Sequence, residues 1–118
     1  MGLIAGMQGV VMTQTALLDN LQSKLNTISD KRQLLAAKSA NLAEQKANLY
    51  EQVANGQSSG DAQLSMFDAR QKQLDQIDKI YDMQCKQLEA QIKIAEQRVQ
   101  AAEKMRDKSI ESGFKGVA

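Results

Sequence analysis

Proline, histidine and tryptophan are absent from this 118-residue chain, which also has one cysteine, two tyrosines and two phenylalanines. Without proline, nothing in the sequence must break a helix from within. Without histidine, the commonest general base and the commonest metal ligand are missing, and one cysteine cannot supply a paired-thiolate site. No Ser, Asp or Glu is set in a nucleophile–base arrangement, and no calcium loop, P-loop or dinucleotide fingerprint occurs. Gly56 and Gly60 are not followed by Lys-Ser/Thr, so they read as turn glycines. The expectation is a protein that is not an enzyme, with no cofactor, no metal and no small-molecule substrate. The lone Cys85 cannot close an internal disulfide and reads as a small buried thiol.

Charge of one sign is lacking too. Charged residues make up 25% of the chain, yet the net charge is +1, with no Lys/Arg cluster and no aromatic platform on which bases could stack. A nucleic-acid partner is therefore not expected. The residues from Met1 to Leu18 carry no charged side chain, but Gly2, Gly6, Gln8, Gly9, Thr13, Gln14 and Thr15 interrupt any apolar run. No basic residue precedes that segment, so neither a signal peptide nor a membrane span is expected. Its small residues, Gly2-x-x-x-Gly6 among them, leave two readings, a frayed N-terminus or a segment buried closely against other subunits.

What the chain does have is an apolar stripe spaced alternately three and four residues apart, in two long stretches separated by Asn55-Gly56-Gln57-Ser58-Ser59-Gly60. That spacing is the seam of a coiled coil. In the first stretch one line runs Val11, Leu18, Leu25, Arg32, Ser39, Lys46, Val53 and the other Gln14, Leu21, Ile28, Leu35, Leu42, Leu49. The second stretch opens on Asp61 as a helix-start acid and reads Leu64, Phe67, Leu74, Ile77, Tyr81, Cys85, Leu88, Ile92, Ala95, Val99, Ala102 and Arg106. Two consecutive steps of four from Ile77 to Cys85 predict a stutter that locally unwinds the supercoil. A helix stop is expected at Ser112-Gly113, with Phe114 folding back.

The expected fold is all-α: two long antiparallel helices forming a coiled-coil hairpin, assembling into a larger helical bundle or filament. Residues 1–10 form an uncharged Gly-rich segment that becomes helical in the assembly, 11–54 the first helix, 55–60 the turn, 61–112 the second helix and 113–118 a tail. Facing residues whose numbers sum to 116 pair Leu49 with Phe67, Leu42 with Leu74, Leu35 with Tyr81, Ile28 with Leu88, Leu21 with Ala95 and Val11 with Met105. The same register sets Lys46 against Arg70. Leu3, Ile4, Met7, Val10, Met12, Leu17, Leu34, Ile80, Met83 and Ile94 fall off the main seam and are expected to mediate self-association.

The uncharged start leading into Thr15-Ala16-Leu17-Leu18-Asp19-Asn20-Leu21-Gln22-Ser23-Lys24-Leu25-Asn26-Thr27-Ile28-Ser29, followed by a long second helix, resembles secretion-type helical filament subunits. These are the type III secretion needle and filament proteins and the terminal helices of flagellins. The resemblance implies an antiparallel coiled coil stacked about a hollow tube, and export of the subunit unfolded through its own channel. On this reading the chain is a noncatalytic filament subunit partnered by itself, extracellular by a route without a signal peptide. The competing reading is a cytoplasmic coiled-coil adaptor or secretion chaperone.

Overall fold

The computed structural model describes residues 2–56 and 60–117, with side chains for 5–56 and 60–113. Two helices make up the fold, α1 (Gly2–Ala54) and α2 (Asp61–Val117), joined through the turn as a helical hairpin. The first helix begins at Gly2, so the segment 1–10 is not set apart from it. The second continues past the stop expected at Ser112-Gly113. Gly113 costs about 1 kcal/mol in a helix but keeps its backbone N–H, so it weakens the last turns without ending them. Leu3, Ile4 and the expected contact of Phe114 lie outside the described side chains.

The turn depends on two glycines for different reasons. Gly56 has a φ of +80°, the left-handed conformation that closes a helix, and its N–H donates to the Val53 carbonyl at 3.1 Å. Gly60 is buried, and its carbonyl accepts from the Leu64 N–H at 2.8 Å, opening α2. A Cβ placed on Gly60 would lie 2.8 Å from Val53 Cγ2 and 3.3 Å from Leu49 Cδ1, so bare backbone packs directly onto the end of α1. Asp61 follows in the first turn of α2, where a negative charge meets the positive end of the helix dipole.

By contacts the chain divides into two compact units, Met1–Asn26 with Lys86–Ala118, and Thr27–Cys85. In the first, Val11, Ile92, Ala95 and Ala102 are buried, with Leu18, Leu21, Leu25, Leu88 and Val99 half-buried beside them. In the second, Leu35, Leu42 and Cys85 are buried, and Ile28, Leu49, Phe67, Leu74 and Tyr81 are half-buried. The shielded positions of α1 keep a strict three-four alternation from Val11 to Val53, with Thr15 as the one addition. Those of α2 do the same from Gly60 to Ser109, with Asp82 and Glu103 added.

That regularity corrects the sequence expectation at two positions. Ile77 is 38% exposed and Asp78 occupies the seam, so the steps run Leu74, Asp78, Tyr81, Cys85 and there is no stutter. Met105 is 54% exposed, with Ala102 and Arg106 taking the seam on either side of it. Ile77 and Met105 each lie one residue from a polar seam position, Asp78 and Arg106, that keeps the spacing.

The turn yields a direct test. Gly60→Ala should cost about 1–3 kcal/mol by overpacking, read as a lower midpoint in urea unfolding. Val53→Ala in the same chain should recover part of that loss by removing the clashing methyl. Gly56→Ala should cost about 1–2 kcal/mol through backbone strain alone and should not respond to Val53→Ala.

Candidate functional site

The chemistry within the unit Thr27–Cys85 is concentrated where α1 places Arg32, Ser39 and Lys46, seven residues apart, along one line of the seam. With coiled-coil positions lettered a to g and a and d facing the partner helix, these three are a residues. On α2 the e line beside the seam reads Asp68, Asp75, Asp82, also seven apart. The two lines meet rung by rung. Arg32 donates through Nε and Nη2 to both carboxylate oxygens of Asp78, at 2.8 and 3.4 Å, and through Nη1 to Asp82 at 3.2 Å. Gln71 Nε2 donates to Ser39 Oγ at 2.8 Å and to Asp75 Oδ1 at 3.3 Å, linking the middle rung. Lys46 pairs with Asp68, and its ammonium lies 5.8 Å from the centre of the Tyr50 ring.

The contacts Arg32–Asp82 and Lys46–Asp68 have numbers summing to 114, and Arg32–Asp78 and Ser39–Gln71 sum to 110. Partner numbers fall as chain numbers rise, so the helices run antiparallel in this unit. Successive rows of an antiparallel seam differ in sum by a few residues, so the expected apolar pairs at 116 and the polar contacts at 110 belong to compatible rows. Where the expected pairing sets Lys46 against Arg70, the ammonium instead reaches Asp68.

Electrostatics follow from the pairings. The fork on Asp78, aided by the nearby charge of Asp82, holds the Arg32 guanidinium above even the ordinary arginine range. The hydrogen bond to Asp68 raises Lys46 above the usual lysine value. Both groups remain partly in water, so the ladder matters more for selecting a geometry than for net stability.

The two flanks of this unit differ in kind. On one side a shallow groove of about 430 Å³ is lined by Ala36, Ser39, Ala40, Ala43, Asp75 and Asp78 over a floor of Leu35 and Leu74. On the other, a groove of about 320 Å³ has Lys31 and Lys38 on its rim and Leu34, Ile77 and Tyr81 along its walls, over the same floor. A third hollow on the lysine side is formed by Gln63, Met66, Phe67 and Arg70. Acidic groups line the first groove, basic groups the other two, and no catalytic pairing is built in any of them. Among the described residues no group of three or more His, Cys, Asp or Glu is placed to hold a metal ion, and no helix is long and apolar enough to cross a membrane.

Of the residues expected to mediate self-association, Val10, Met12, Leu17, Leu34, Ile80, Met83 and Ile94 are between 43% and 66% exposed, and Met7 is half-buried. Tyr50, Met66 and Met105 are further large exposed apolar side chains that the stripe analysis did not single out for this role. It also missed Gln71, Asp78 and the e line of acids. The signal was present, since Asp68, Asp75 and Asp82 repeat at the same interval as Arg32, Ser39 and Lys46. No protein-family model matches this chain, and comparison with curated proteins and with solved structures returns no match.

The ladder makes two expectations concrete. Asp78→Arg should lower the thermal midpoint by setting two guanidinium groups together, and Arg32→Asp in the same chain should restore most of the loss. A raised lysine contributes stability that is complete below its unfolded value of 10.5 and is lost as pH rises through the higher folded value. The difference in unfolding midpoint between the protein and Lys46→Met should therefore be constant from neutral pH up to 10.5 and shift in favour of the variant above it.

Proposed function

We propose that this chain is a noncatalytic structural protein, a helical hairpin that self-associates as the subunit of a filament or tubular assembly. The observation carrying this reading is the amount of apolar surface the hairpin leaves uncovered. Among the described residues, twelve large hydrophobic side chains are at least 37% exposed, Met12, Leu34 and Met83 at 60% or more, whereas seven apolar residues are buried and the rest of the seam is half-buried. Scattered exposed leucines mean little in a globular protein, but twelve such groups on a two-helix hairpin call for a partner surface.

The ordered seam supports the same reading from the other side. Each helix already has its a and d positions engaged with the other, so the exposed groups are a second apolar set, as in helices that touch neighbours on two sides. The uncharged segment up to Leu17, with Val10, Met12 and Leu17 exposed, is the part best suited to burial between subunits. The resemblance to secretion-type filament subunits accords with that arrangement.

Negative-stain electron microscopy of the purified full-length chain over a concentration series, with light scattering, tests the proposal. Regular filaments or tubes are the expected result, and deletion of residues 1–9 should suppress them. Discrete dimers or tetramers at the highest concentrations would overturn the filament reading. A single heterologous protein recovered in stoichiometric amount would instead make the chain an adaptor.

A further inference from the structure

Charge on the hairpin is sorted by face to a degree that balanced composition conceals. On the flank where the g and c positions of both helices come together in the unit Thr27–Cys85, the charged groups are Lys31, Lys38 and Arg70, all exposed, and there is no acid. Leu34, Met66, Ile77 and Ile80 project between them, at 65%, 56%, 38% and 52% exposure. This flank is bulky, apolar and basic.

The outward face of α1 in the same unit, its b, e and f positions, has the opposite character. Its charged groups are Asp30, Glu44 and Glu51, all exposed, and it carries no basic residue. Between them the surface is mostly alanine: Ala36, Ala37, Ala40, Ala43, Ala47 and Ala54 are all exposed, with Ser29, Gln33 and Tyr50 the other side chains, and the Lys46 ammonium beside Tyr50 is held by Asp68. Alanine presents apolar surface close to the backbone, so a neighbouring side chain can approach the helix itself. The outward face of α2 is different again, because Lys72 and Lys79 sit four residues after Asp68 and Asp75 and leave it mixed in sign.

We infer that the basic apolar flank of one copy, formed by Lys31, Leu34, Lys38, Met66, Arg70 and Ile77, docks on the alanine-rich acidic back of α1 in a second copy. This deepens the self-association proposed above and rests on it. Three cations without an acid meet three acids without a cation, and large aliphatic groups meet a face cut down to methyls. A uniformly basic flank is repelled by its own image, so a symmetric flank-to-flank dimer is disfavoured. Flank-to-back contact joins two different patches. It is therefore heterologous, and each added copy presents a fresh flank and a fresh back, which extends an assembly instead of closing a dimer.

Charge exchange tests this with built-in controls, since every altered residue is exposed and helical content by circular dichroism reports on the fold. A flank variant (Lys31→Glu, Lys38→Glu, Arg70→Glu) and a back variant (Asp30→Lys, Glu44→Lys, Glu51→Lys) should each raise the concentration needed for assembly at least tenfold. Mixed in equal amounts, they should assemble with strict one-to-one alternation, because each then meets only opposite charge. Carrying both sets of changes in one chain should restore assembly without a partner. If the unaltered chain assembles and both variants assemble equally well, the flank-to-back contact is overturned while self-association stands. Failure of the unaltered chain to assemble overturns both. If vesicles of phosphatidylserine and phosphatidylcholine bind the unaltered chain, the flank variant loses that binding and assembly is unchanged, the flank serves an anionic lipid surface and the contact is likewise overturned.

Discussion

The fork of Arg32 on Asp78, with its reach to Asp82, is the interaction on which the geometry of the unit Thr27–Cys85 turns. A guanidinium can satisfy a carboxylate with two parallel hydrogen bonds only in a narrow range of positions, so the pair is geometrically demanding although partly in water. An aspartate falls on the seam and Ile77 beside it because the three-four spacing of Leu74, Tyr81 and Cys85 continues unbroken, and the fork gives that carboxylate a partner. Ile77 then stands on the wall of the basic groove.

Polar groups on a seam seldom add much stability, but they discriminate between registers. Apolar side chains pair almost equally well at several offsets, because leucine against leucine, alanine or tyrosine differs by little. The ladder of Arg32, Ser39 and Lys46 against Asp82, Asp75 and Asp68 is less tolerant of an offset of half a turn. It is, however, periodic, and a slip of a full heptad would present the same chemistry again. The turn removes that ambiguity: such a slip moves the midpoint of the hairpin by half a heptad, away from the left-handed Gly56 and the bare backbone of Gly60 against Val53. Turn and ladder thus specify register at two different scales.

Sorting of charge follows from the same helical period. A chain with a net charge of +1 looks featureless in composition, yet a seven-residue repeat lets acids accumulate on one face and bases on another. The seam engages part of that pattern through the ladder. It leaves the lysine-rimmed flank and the alanine-rich back of α1 unengaged.

Two helices, their antiparallel pairing around residues 55–60 and most of the seam were legible in the sequence, because absence of proline, good helix formers and three-four spacing are local properties that read directly as helical geometry. The line Leu21, Ile28, Leu35, Leu42, Leu49 needed no knowledge of a partner to be placed. Asp78 in place of Ile77, the fork that Arg32 makes on it and the pairing of Lys46 with Asp68 could be settled only once both helices lay side by side. Whether a charged residue can occupy a seam depends on what reaches it from the other helix, and that partner lies 46 residues away for Arg32 and Asp78. Periodicity reports where a side chain points, whereas the energy of a polar contact resides in a distance and an angle that only the tertiary structure sets.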